Sequence, residues 1–118
     1  MRRFEDLRVW TDSRDLVGDV YKIMASCKDY GFRDQIQRAA ISVMNNIAEG
    51  SEMSSDKAFI RYLKISKASC AEVRSMLYLC EDLNICDAVT SEQLRNKVMN
   101  IAGALFRLIE ALNKKSNV

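Results

Sequence analysis

The residues of this chain best suited to chemistry cluster in two places. Gln35, Arg38, Asn45, Asn46 and Glu49 belong to the stretch QIQRAAISVMNNIAEG, Gln35 to Gly50, and Ser69 and Glu72 belong to a later helical run. Arg38 stands between Ile36 and Ala40, and Glu72 lies beside an apolar stripe. A charge on such a face is costly unless it is paired, and two facing helices would let Arg38 and Glu72 pair directly. The spacing therefore predicts a half-buried polar cluster of Gln35, Arg38, Asn46, Glu49, Ser69 and Glu72, which fixes the register of two helices. The alternative is a small-molecule or hydrolytic pocket built on Arg38, Glu49 and Glu72.

Composition narrows the catalytic options. The chain has no histidine, which removes the usual general base, the Ser-His and Cys-His nucleophile systems and the commonest transition-metal ligand. The four glycines form neither a dinucleotide-binding nor a P-loop pattern, and no serine sits in a nucleophile elbow. Glu49, Glu72 and Asp56 are not paired at catalytic spacing. The expectation is a protein with no catalytic residues, no metal and no cofactor.

A second chemical feature is cationic. Lys57, Arg61, Lys64, Lys67 and Arg74 recur at offsets of four, three, three and seven, and no acidic residue stands between Lys57 and Glu72. Such a ridge is either a solvated face or a surface for phosphate. The formal net charge is only +2, far from that of a dedicated nucleic-acid binder. Repetition around an oligomer would strengthen the local field.

The elements that must carry these residues are helical. The chain has 118 residues, no proline and few glycines, which suits one domain over residues 1–118 and argues against the many tight turns of a β fold. Helical periodicity predicts a first helix over Leu7–Lys28, with Trp10, Val17, Val20, Tyr21, Met24 and Cys27 on one face, ended by Gly31. A second helix over Arg33–Glu49 carries Ile36, Ala40, Val43 and Ile47 and is stopped by Gly50. Ser54 or Ser55 caps a third, which reaches Asn84. Its stripe is Phe59, Leu63, Ser66, Cys70, Val73, Leu77 and Cys80. A second stripe, Tyr62, Ile65, Ser69, Glu72, Met76, Leu79 and Leu83, implies burial over a wide face.

Thr90 and Gln93 form a capping box that opens a fourth helix. It carries Leu94, Val98, Ile101, Leu105, Leu108 and Leu112 and frays in NKKSNV. The predicted fold is all-α, an antiparallel up-down-up-down four-helix bundle. Cys70 and Cys80 read as buried free thiols and Cys86 as the exposed one. MRRFEDLRVW lacks the apolar stretch of a signal peptide, and no run is long enough for a membrane span, so a cytoplasmic location with no membrane contact is expected.

FEDLRVW at Phe4 to Trp10, QIQRAAISVMNNIAEG at Gln35 to Gly50 and FIRYLKISKASCAEV at Phe59 to Val73 together resemble the 23S ribosomal RNA intervening-sequence protein family, over nearly the whole chain. One departure is Ala68-Ser69, where the family has Gly-Ser. The resemblance implies a four-helix bundle assembled as a homopentamer, in a family for which no enzymatic activity is established. It also implies a fold similar to the accessory protein of diversity-generating retroelements, a basic pentamer that binds a reverse transcriptase and nucleic acid. The expected partners are thus further copies of the chain, RNA or DNA bound by the ridge, or a nucleic-acid-processing protein. A protein–protein scaffold with a merely solubilising ridge is the alternative.

Overall fold

The computed structural model describes residues 3–116. After a 3-10 turn at Phe4–Asp6 come helices α1 (Arg8–Met24), α2 (Tyr30–Ser51), α3 (Asp56–Asp82) and α4 (Ala88–Ser116), and no strand occurs among the described residues. The fold is all-α, as expected. The turn is anchored by Phe4, whose ring meets Trp10 edge-on with centroids 5.0 Å apart.

Helix boundaries differ from expectation wherever an aspartate caps. Asp29 accepts the Phe32 N–H at 3.1 Å, so α2 starts before Gly31, and that glycine lies in its first turn rather than closing α1. Asp87 accepts the Thr90 N–H at 2.8 Å, so α4 starts ahead of the predicted Thr90–Gln93 box. Thr90, through its side chain first and this N–H second, holds the Asp87 carboxyl below its ordinary range. Ser55 does cap α3, accepting from the Ala58 N–H at 3.1 Å. At the other end of α3, Asn84 adopts a left-handed φ of 58°. Its N–H donates to Glu81 O at 3.0 Å and that of Ile85 to Cys80 O at 2.8 Å, a Schellman closure. The predicted fraying in NKKSNV is not seen through Ser116; Asn117 and Val118 lie outside the described residues.

Cross-helix pairs give the chain direction. Gln35 meets Glu72, Ser42 meets Ser69, and Val43 meets Ser66, so α2 and α3 run antiparallel. Leu77 with Ser91 and Asp56 with Lys115 make α3 and α4 antiparallel too. Lys97 bonds Asp19, and Arg107 lines a groove with Arg8, which sets α4 against α1. The path is up-down-up-down.

One continuous core runs through the bundle. The first α3 stripe is buried throughout, as is the α2 stripe. On α1 the inward face is rotated from the predicted one: Val9, Ser13, Leu16, Val20 and Met24 are buried, while Tyr21 is exposed. On α4, Ile109 is buried in the place expected of Leu108, which is half-buried. The second α3 stripe is not a buried face. Of its members only Met76 is buried, and Ile65, Glu72, Leu79 and Leu83 are exposed, because only α2 flanks that side.

Buried polar groups are small hydroxyls rather than charges. Ser66 donates to Val43 O at 2.7 Å, and Ser91 donates to Leu77 O at 2.9 Å, each joining two helices. Such a bond contributes about 1 kcal/mol, and among the described residues no hydroxyl is left unpaired in the core.

Gly50 was expected to stop α2, but the helix continues to Ser51. The glycine is buried, and a Cβ placed there would lie 2.7 Å from Tyr62 Cβ and 2.9 Å from Phe59 Cδ1. It permits α2 and α3 to approach where the chain reverses. In an unobstructed helix interior, Gly→Ala stabilises by roughly 1 kcal/mol. Gly18, where a Cβ would have nothing within 4 Å, should follow that rule. Gly50→Ala should instead destabilise by about 1–3 kcal/mol through overpacking, read as a lower urea midpoint. Equal gains at both positions would refute the close approach.

Candidate nucleic-acid interface

Each of the five ridge cations is exposed, and none pairs with a carboxylate among the described residues. They do not form a single line. Lys57, Arg61 and Lys64 border one groove together with Ile60 and Asn113. Lys67 and Arg74 border a second, of about 180 Å³, floored by Cys70, Ala71, Val98 and Ala102 and edged by Met99. Both grooves run between α3 and α4, and no carboxylate lines either.

Ion pairs mark the two ends of this face. At one, Lys115 Nζ lies 3.7 Å from Asp56 Oδ2. At the other, Arg95 pairs with Glu81, bonds Ser91 and lies 4.1 Å over the Tyr78 ring. The bond from Arg95 holds the Glu81 carboxyl below its ordinary range. Between these ends none of the five cations has a carboxylate within ion-pair distance among the described residues, and cations left unpaired attract phosphate.

The polar cluster is not assembled as expected. Arg38, Glu49 and Glu72 are all exposed. Glu72 accepts from Gln35 Nε2 at 3.3 Å, and no ion pair joins it to Arg38. The reason is angular: two residues beyond Ile36 is about 200° around the helix, so Arg38 points away from the core that Ile36 enters. What does join α2 to α3 is smaller. Ser42 Oγ lies 2.8 Å from Ser69 Oγ, and Asn46 Nδ2 donates to Ser42 O at 2.8 Å and to Ser42 Oγ at 3.0 Å. Gln35 and Glu72 therefore bridge the two helices directly, and Ser69 does so through Ser42, which sequence reasoning missed and to which Asn46 of the same helix bonds. Asn45 and Glu49 face outward.

Sequence reasoning also missed the α4 side of the interface. Met99 and Phe106 are each 52% exposed, and Lys67 Nζ lies 5.6 Å from the Phe106 ring centroid. Phe106 breaks the apolar periodicity of α4, which was the available signal.

No group of three or more His, Cys, Asp or Glu among the described residues is arranged to hold a metal ion. No helix among them is long and apolar enough to cross a membrane. Cys70 and Cys80 are buried as expected, but Cys86 is half-buried rather than exposed. Burial pushes the Cys70 thiol up to about 12 against the pull of Lys67 and Arg74. Burial, then Cys86, pushes Cys80 up to about 12. Burial also raises Cys86, with Asp87 adding to it. These thiols are poor nucleophiles.

A family model for the 23S rRNA-intervening sequence protein matches residues 5–107. The chain belongs to that family. The matched span holds all five ridge cations and Phe106. A crystal structure of a protein with unknown function from the S23 ribosomal protein family of Bacteroides thetaiotaomicron VPI-5482 is similar, with a TM-score of 0.80 and 24% sequence identity. The match covers 86% of this chain and 97% of that one, and shows a shared fold. Among curated proteins none matches.

Native protein at pH 8 should leave Cys70 and Cys80 unlabelled by a thiol-specific disulfide reagent, whereas urea-unfolded protein should label all four cysteines. The stabilisation from keeping these thiols neutral is whole below the ordinary value of 9.0 and is lost as pH rises toward about 12. Urea midpoints should accordingly fall across that window. Rapid native labelling of either cysteine would contradict this burial.

Proposed function

We propose that this intervening-sequence family member works without catalysis, as a homo-oligomeric helical bundle in the cytoplasm that binds RNA or DNA along α3. The resemblance implies a pentamer. The observation that carries the reading is the row of exposed cations, Lys57, Arg61, Lys64, Lys67 and Arg74, with no carboxylate partner among the described residues. A merely solubilising helix surface usually intersperses the two signs. Here the acidic partners are confined to Asp56 at one end and Glu81 at the other.

Self-association has its own support on the α2 side of α3. Ile65, Leu79 and Leu83 are 46%, 45% and 52% exposed, and they share a seven-residue repeat with the buried Met76. A half-covered heptad stripe is what a second helix pair would complete. The same observation favours a second reading, a protein–protein scaffold in which this stripe receives a different partner.

Binding to structured RNA should weaken steeply with salt, and Arg61→Glu with Lys64→Glu should lower affinity by about tenfold or more at low salt. Salt-independent binding, or binding unchanged by the double substitution, would sink the nucleic-acid reading. Light scattering should report an oligomer that Leu79→Glu breaks into smaller species. A monomeric wild-type protein would refute self-association.

A further inference from the structure

Phe106 is the one large aromatic side chain that α4 exposes, and it stands beside the cations rather than among other apolar residues. Its ring has Lys67 Nζ at 5.6 Å from the centroid. Lys67 has no carboxylate partner among the described residues, so its ammonium can leave the ring face when a phosphate or a base arrives. Tyr78 differs: Arg95 lies 4.1 Å over its ring and is itself pinned by Glu81 and Ser91. One aromatic face on this surface is therefore releasable and the other is held.

Next to Phe106 lies the α3/α4 groove edged by Lys67, Arg74 and Met99, with a floor that includes Ala71, Val98 and Ala102. Small apolar side chains beneath two unpaired cations make a trough whose floor suits a flat, uncharged ring and whose rim suits an anion. A nucleic-acid duplex presents phosphates outward and keeps its base faces stacked, so it can satisfy the rim only. An unpaired strand presents both. Single-strand binders combine a positively charged track with aromatic platforms in this way. The charge on the groove also decides against a protein partner of ordinary composition, because closing such a partner over Lys67 and Arg74 would desolvate two cations without compensation.

We infer that the α3/α4 groove is a single-strand site, in which an unpaired base stacks on Phe106 and the adjoining phosphates are held by Lys67 and Arg74. The inference rests on the nucleic-acid reading above and narrows its ligand from nucleic acid in general to unpaired strands. Lys57, Arg61 and Lys64, bordering the neighbouring groove, extend the same track toward the Asp56 end of α3. Phe106 supplies base contact without base identity, since every base offers a π face.

The test compares one labelled RNA oligonucleotide, single-stranded and annealed to its complement, by fluorescence anisotropy across a salt series. Wild-type protein should prefer the single strand. Phe106→Leu, at a half-exposed position where leucine keeps the apolar contact, should weaken single-strand binding about tenfold or more while leaving the salt slope unchanged. Lys67→Gln with Arg74→Gln should do the converse, flattening the slope by roughly 0.7 for each phosphate left without its cation. Thermal melts confirm that the variants fold. Equal affinity for both forms with no effect of Phe106→Leu overturns the inference, while charge-dependent binding keeps the broader reading. Absence of binding to either form overturns both. A Phe106→Leu variant that alters only oligomer size in light scattering assigns this face to protein contact and overturns the inference as well.

Discussion

The tight contact between α2 and α3 is the constraint on which the rest of the molecule depends. At the reversal, Gly50 lets the helices close onto Tyr62 and Phe59. Further along, Ser66 reaches Val43 O, and Ser69 meets Ser42. Glycine and serine allow this because they add almost no bulk between two backbones, and each serine hydroxyl finds a partner on the facing helix instead of being buried unpaired. Once this register is set, the rotation of α3 about its own axis follows. Its Phe59–Cys80 stripe enters the core, its heptad stripe with Ile65 and Leu79 is left half-covered, and its cations stand outward.

That rotation gives α3 two chemically different flanks. The side next to α2 is apolar with isolated charges, Arg38, Glu49 and Glu72, around it. The side next to α4 is cationic, with an apolar floor and a phenylalanine at its edge. In a rod of 50 × 20 × 20 Å both flanks run along the length of the bundle. The ion pairs of Glu81 with Arg95 and Asp56 with Lys115 neutralise the ends of the cationic flank and concentrate its field between them. The thiols take no part in this. Held neutral by burial, Cys70 and Cys80 behave as small apolar core residues.

Much of the fold was legible because hydrophobic periodicity is a local property. The stripes from Ile36 to Ile47 and from Phe59 to Cys80 could be read without knowing what they pack against, and both are buried. Helix starts were harder, since an aspartate such as Asp29 or Asp87 competes with nearby serines and threonines for the capping role, and only the bond formed decides it. The cations of the interface were legible for the same reason as the core, through spacing along one helix. Phe106 and Met99 were not, because they join the site from α4 across a helix–helix groove.

The sequence by itself determined the all-α class, the four helices, the inward stripe of α3 and the cations Lys57, Arg61, Lys64 and Lys67 in a run without acidic residues before Glu72, all properties of spacing within a single element. Only the tertiary structure decided that Arg38 and Glu72 stay in water, that Gly50 is a point of contact rather than a stop, and that Phe106 stands beside Lys67. Each of these depends on distances between residues far apart in the chain. Such distances are set by how closely two backbones can approach, a quantity that periodicity along one helix does not contain.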